Sequence, residues 1–145
     1  MIAIIDYGAG NLRSVKNALD FLGAESKIVS TSKEIAKADK IILPGVGAFG
    51  FMMNNLRQKK LERPILKAIS DGKLFLGICL GMQVLFEKSE ETQGIKGLGV
   101  FKGKVIKFTR GKVPQIGWNQ IIPSKTAKTD KKNNKKNIFK EQYAY

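Results

Sequence analysis

Short apolar runs alternate with helically spaced apolar positions over the first eighty or so residues. Met1 to Asp6 holds Ile2-Ala3-Ile4-Ile5, a continuous run of the kind that forms a strand buried on both faces. Leu12, Val15, Leu19 and Leu22 recur at helical spacing, and Gly23 follows as a stop. Ala24 to Val29 predicts a second strand, Ile35 and Ala38 mark a short helix, and Lys40 to Leu43 predicts a third strand ended by Pro44-Gly45. Phe51 to Arg57 and Pro64 to Ser70 read as helices, with Pro64 near a helix start, where a missing N–H is tolerated. Leu74 to Ile78 is a further strand, and Met82, Val84, Leu85 and Phe86 supply apolar positions for a packed helix after it. The alternation predicts an α/β fold, an open and mostly parallel sheet flanked by helices. From Val100 the rhythm changes. Val105, Phe108, Trp118, Ile121 and Ile122, punctuated by Gly103, Gly111, Pro114 and Gly117, predict strands in hairpins or at a sheet edge.

With 145 residues and 43% hydrophobic content, the chain can bury a core of its own. Its formal net charge of +14 invites a nucleic-acid reading. The distribution argues against it. Much of the excess lies between Ser124 and Lys140, where lysines alternate with Asn, Thr and Asp rather than aromatics, the composition of a solvated loop or tail. No nucleic-acid motif accompanies the other lysines, so an acidic protein face or an anionic, phosphorylated substrate is the better partner. A single cysteine permits no internal disulfide and agrees with a reducing compartment. The N-terminus lacks the form of a signal peptide, and no apolar run is long enough to span a bilayer. A cytoplasmic protein without membrane contact, cofactor or bound metal is expected.

That cysteine carries the chemistry. Gly77-Ile78-Cys79-Leu80-Gly81-Met82-Gln83 places it where a strand turns into a helix, between two glycines that permit a tight turn and close backbone approach. Free N–H groups at the helix start can bind a developing oxyanion. Two more loops fall at the carboxyl ends of predicted strands, where ligands gather in an open parallel sheet. Tyr7-Gly8-Ala9-Gly10-Asn11-Leu12 is neither a dinucleotide fingerprint nor a P-loop; it can expose N–H groups or serve as an ordinary strand-to-helix turn. Pro44-Gly45-Val46-Gly47-Ala48-Phe49-Gly50 has the glycines needed to turn peptide units toward a bound carbonyl. The chain contains no histidine. The nucleophile turn therefore lacks the usual base.

In order, Asp6 to Leu12, Pro44 to Phe49, Gly77 to Gln83 and Gly117-Trp118-Asn119 resemble the motifs of triad-type, class I glutamine amidotransferases. Within that family they are most similar to the glutaminases that serve imidazole glycerol phosphate synthesis. The resemblance covers about the first 120 residues and implies an incomplete amidotransferase domain over 1–123; by composition 124–140 is a Lys/Asn-rich loop or tail, and 141–145 is read as the start of a further element. It implies that Cys79 attacks the side-chain amide of glutamine, giving a glutamyl thioester and ammonia, and that water then releases glutamate. The backbone N–H of Leu80 and that of Val46 or Gly47 would form the oxyanion hole. Gln83 would hold the substrate, with Glu91 a candidate for its amino group. The ammonia would pass, within a heterodimer, to a (β/α)8-barrel cyclase that makes imidazole glycerol phosphate in histidine biosynthesis. Asn11, Trp118 and Asn119 would belong to the docking face or couple it to the site, although Trp118 is equally readable as a core aromatic.

The family completes its triad with a later His-x-Glu pair, which this sequence does not contain. Gln115-Ile116 also stands where many relatives carry a histidine outside the triad. A C-terminally truncated domain is expected, incompetent in turnover alone and prone to expose core surface or an unpaired strand edge. Two other readings fit the same residues: a paralogue supplying ammonia for surface-sugar amidation, and a noncatalytic subunit that keeps the docking face.

Overall fold

In the computed structural model, which describes residues 1–111, 117–120 and 143–144, the first apolar run is the hub of a parallel sheet. The strand β1 (Ile2–Ile5) lies between β2 (Ser26–Val29) and β3 (Lys40–Gly45), and β3 pairs in turn with β4 (Leu74–Cys79). The order β2-β1-β3-β4 is parallel throughout. Each crossover is helical: α1 (Leu12–Phe21), α2 (Ser32–Lys37), and the pair α3 (Phe49–Gln58) and α4 (Glu62–Ser70). The sheet and its helices confirm the α/β reading.

Local chemistry sets the boundaries. Asn11 caps α1 by accepting from the Ser14 N–H, and Thr31 caps α2 by accepting from Glu34, whose carboxylate returns to the Thr31 hydroxyl and the Ser30 N–H. Gly23 closes α1 at φ +66°, a conformation glycine adopts without strain. The helix α3 begins two residues before the apolar periodicity predicts, because Glu91 and Thr92 accept from the Phe49 and Gly50 N–H groups that its first turn leaves open.

The pleat divides the sheet into unequal faces. Ala3, Ile5, Val29, Ile41 and Leu43 point to one side and join Ile35, Leu56 and Ile65 of α2, α3 and α4 in a buried cluster. Ile28, Ile4, Ile42 and Leu76 share a register row on the other side. There α1 lies against β1 and β2 and buries none of its own residues fully. Ile4 and Ile42 are covered, but Leu74 and Leu76 on β4 are 54% and 53% exposed. No described strand pairs with the outer edge of β4.

After β4 the sequence reading needs correction. The expected packed helix through Phe86 is a single turn, α5 (Leu80–Gln83), and Phe86 instead opens a strand, β5 (Phe86–Ser89). Val84 and Leu85 are buried at the turn between them. The strand β5 pairs in parallel with β6 (Phe101–Val105), with a register shift between Phe86 and Lys88, and the Phe86 and Phe101 rings meet at 5.8 Å. Cross-strand packing of these rings overrides a short helical period.

By contact, the chain divides into two units, Met1–Lys107 and Phe108–Tyr145. In the second, β7 (Asn119–Gln120) and β8 (Tyr143–Ala144) pair antiparallel, as the strand reading beyond Val100 expects. Ile121, Ile122 and the lysine-rich stretch 124–140 lie outside the described residues.

Candidate functional site

Three glycines make the turn at Cys79 possible. A Cβ on Gly77 would sit 2.6 Å from the Gly81 carbonyl oxygen, one on Gly81 would collide with the Leu43 carbonyl, and one on Gly45 would strike the Gly81 N–H. Strands β3 and β4 and the start of α5 are thus pressed together, backbone on backbone, with Gly45 and Cys79 in register. Cys79 adopts φ 53°, ψ −116° as the N-cap of α5. A non-glycine residue in such a conformation stores strain of order 1–3 kcal/mol. The close packing on both sides holds it there and leaves Cys79 exposed above the sheet.

The facing loop is held by a buried tyrosine. Tyr7 is fully buried, and its hydroxyl accepts from the Val46 N–H at 3.2 Å and donates to the Val46 carbonyl at 3.5 Å. Burial pushes the Tyr7 hydroxyl above its ordinary range, the bond to the Val46 backbone opposes this, and the charge of Cys79 raises it further. Sequence reasoning quotes Tyr7 in a motif but gives it no role. The signal available is a lone aromatic hydroxyl at the carboxyl end of a buried strand.

Of the N–H groups in this loop, Val46 gives its own to Tyr7, Phe49 to Glu91 and Gly50 to Thr92. The Gly47 N–H, at φ +89°, makes no hydrogen bond with the described residues. Between the alternatives Val46 and Gly47, this conformation leaves Gly47 open. On the other side of Cys79, the Leu80 N–H stands at the first position of α5, where helix geometry supplies no intrahelical acceptor.

The remaining sequence candidates are dispersed. Gln83 is half-buried in α5, one turn beyond the thiol. Glu91 is engaged at the start of α3 through one carboxylate oxygen. Asn11 uses its side-chain oxygen as the α1 cap, and in the loop before it the Gly8 N–H is taken by Asp6. Trp118 and Asn119 belong to the second unit, where the Trp118 side chain is largely exposed and Asn119 opens β7. Among the described residues, no cluster of three His, Cys, Asp or Glu side chains is placed to hold a metal ion. Nor is any described helix long and apolar enough to cross a membrane.

The model of the family "Glutamine amidotransferase class-I" matches residues 3–144. The chain belongs to the class I glutamine amidotransferases. For this amidotransferase chain the match runs on through the lysine-rich stretch to the last described strand. Similar curated proteins include the imidazole glycerol phosphate synthase subunit HisH of Pyrococcus furiosus, 52% identical over 127 residues, covering 88% of this chain and 62% of that protein. The subunit of the same name from Methanocaldococcus jannaschii is 55% identical over 122 residues, covering 83% and 61%. The chain thus spans about three-fifths of the length of these relatives. A crystal structure of glutamine amidotransferase shares the fold, with a TM-score of 0.70 at 23% identity over 83% of this chain and 64% of that one.

Proposed function

We propose that this amidotransferase chain carries the nucleophile and oxyanion half of a glutaminase that supplies ammonia for histidine biosynthesis, as its HisH relatives suggest. The observation that carries the reading is Cys79, held exposed at a strained strand-to-helix turn and in register with Gly45, two residues before the open N–H of Gly47. In this reading the thiolate adds to the γ-carbonyl of glutamine, and the Gly47 and Leu80 N–H groups stabilise the tetrahedral oxyanion. The C–N bond breaks as the amide nitrogen takes up the proton the thiol gave up, ammonia departs, and water hydrolyses the glutamyl thioester to glutamate and free thiol. Gln83 orients the substrate, and the free oxygen of Glu91 meets its amino group.

Both steps need a proton carrier, and none of the 145 residues is a histidine. A base supplied from outside these residues completes the cycle; without it the chain binds and reacts with electrophiles but does not turn over. The ammonia acceptor is a (β/α)8-barrel cyclase docked as a heterodimer; Asn11 in the first unit and, separately, Trp118 and Asn119 in the second are the candidates for docking it or coupling it to the site.

Glutamate release from glutamine by the 145-residue chain, with and without the cyclase subunit, tests the division of labour. The expected result is no steady-state hydrolysis in either case. Turnover that disappears in Cys79→Ala would overturn the claim of incompetence. Cyclase binding without any reactivity at Cys79 would point instead to a noncatalytic docking subunit.

A further inference from the structure

The cationic surface of the first unit has no role in the Cys79 site. Helices α2 and α4 lie side by side, and between them runs an open groove of about 680 Å³. Its floor is apolar, formed by Ala36 on α2 and by Pro64 and Ala68 on α4. Its walls are cationic. Lys33 stands one turn before Ala36, and Arg63 stands on the facing helix beside Pro64.

The other cations of the groove have partners within the fold. Lys67 pairs with Asp71 at 3.0 Å, and Lys73 donates to the carbonyls of Ala36 and Ala38 at 2.6 and 2.7 Å. Lys33 and Arg63 make no ion pair among the described residues. Arg63 also lines an adjoining hollow with Lys60 and the Arg57–Glu62 ion pair, which leaves Lys60 and Arg63 as the cations there without an ion pair among the described residues.

An occupant that complements this surface needs an apolar ridge with acidic flanks. A nucleic-acid backbone brings the charge but nothing for Ala36 and Ala68 to cover. An amphipathic helix with carboxylates beside its apolar stripe brings both, in the helix-in-groove mode. We propose that the α2–α4 groove is a docking surface for an acidic amphipathic helix of a partner protein, remote from the glutaminase chemistry and independent of it.

The test uses a fluorescein-labelled peptide of about 14 residues, four helical turns, with Leu at i, i+4 and i+7 and Glu at the flanking positions. Its anisotropy is followed on the full 145-residue chain. Lys33→Glu with Arg63→Glu is expected to weaken binding at least about tenfold, and Ala36→Trp, which fills the groove without changing charge, to do the same. Lys102→Glu with Lys107→Glu, an equal charge change elsewhere, should leave binding within about twofold. Circular dichroism checks that each variant keeps its helices. Equal binding of a scrambled peptide, equal loss in the control reversal, or no binding would overturn the proposal. So would a single-stranded oligonucleotide that binds with the same Lys33 and Arg63 dependence when the peptide does not.

Discussion

The Tyr7 hydroxyl is bonded to both the N–H and the carbonyl of Val46, 39 residues away in sequence. One buried side chain just past the end of β1 thereby holds the loop that follows β3. Tyr7→Phe removes both bonds while keeping the ring, so a stability loss of about 0.5–1.5 kcal/mol is expected, read from the denaturation midpoint. Unchanged stability would show that the loop is held by its other contacts, Glu91 to Phe49 and Thr92 to Gly50.

Gly81→Ala should be far more damaging than its single methyl suggests. The new Cβ would meet the backbone carbonyl of Leu43, which belongs to the central β3 strand and has no room to retreat. A loss of about 3 kcal/mol or more is expected. Gly23→Ala is the control. Nothing lies within 4 Å of a Cβ there, and only the positive φ of 66° opposes it, at about 1–2 kcal/mol. Similar losses at the two sites would contradict the close-packed turn.

Lys73 joins the end of α2 to the start of β4 by donating to the carbonyls of Ile35, Ala36 and Ala38. Lys73→Met keeps the aliphatic stem and leaves the part-buried Ala38 carbonyl without its partner, while the Ile35 carbonyl keeps its bond from the Ala38 N–H. It should cost about 1–3 kcal/mol and speed amide exchange at the α2 terminus. Full retention of stability would mean that water replaces the ammonium.

The exposed stripe on β4 should drive association. Leu74 and Leu76 project from a strand whose outer edge no described strand pairs. Leu74→Lys with Leu76→Glu should suppress concentration-dependent light scattering while leaving the cooperativity of the melt intact. A wild-type chain that stays monomeric at high concentration would remove the premise.

Acid should loosen the entry to α2. Glu34 is held at a pKa of about 2 by Lys27, with further bonds from Thr31 and Ser30, against an ordinary value of 4.5. A carboxyl depressed on folding contributes stability that is complete above its unfolded pKa and is lost as pH falls through the folded one. The contribution therefore disappears between about pH 4.5 and pH 2. In Glu34→Gln the melting temperature should depend less steeply on pH in that window. An unchanged slope would mean that this exposed network is screened by solvent.

The sheet was legible because its strands are buried on one or both faces and read as apolar runs, and the glycine pair at the turn was legible because close backbone approach excludes side chains. Leu12, Val15, Leu19 and Leu22 also marked the first helix, although α1 buries none of them and Leu22 is exposed. Phe86 reads as helical from the sequence because a four-residue helix and a strand start look alike in a short apolar run. Tyr7 and Lys73 were silent for another reason: each bonds to backbone groups more than thirty residues away, and no local period encodes that.

Reactivity at Cys79 tests the central claim most directly. Intact-mass and peptide mass spectrometry after exposure to the diazoketone analogue of glutamine, whose alkylation of a thiol expels dinitrogen, should give one adduct on Cys79, slowed by glutamine and absent in Cys79→Ala. No adduct, or labelling that glutamine does not slow, would contradict a glutamine-directed nucleophile at this turn.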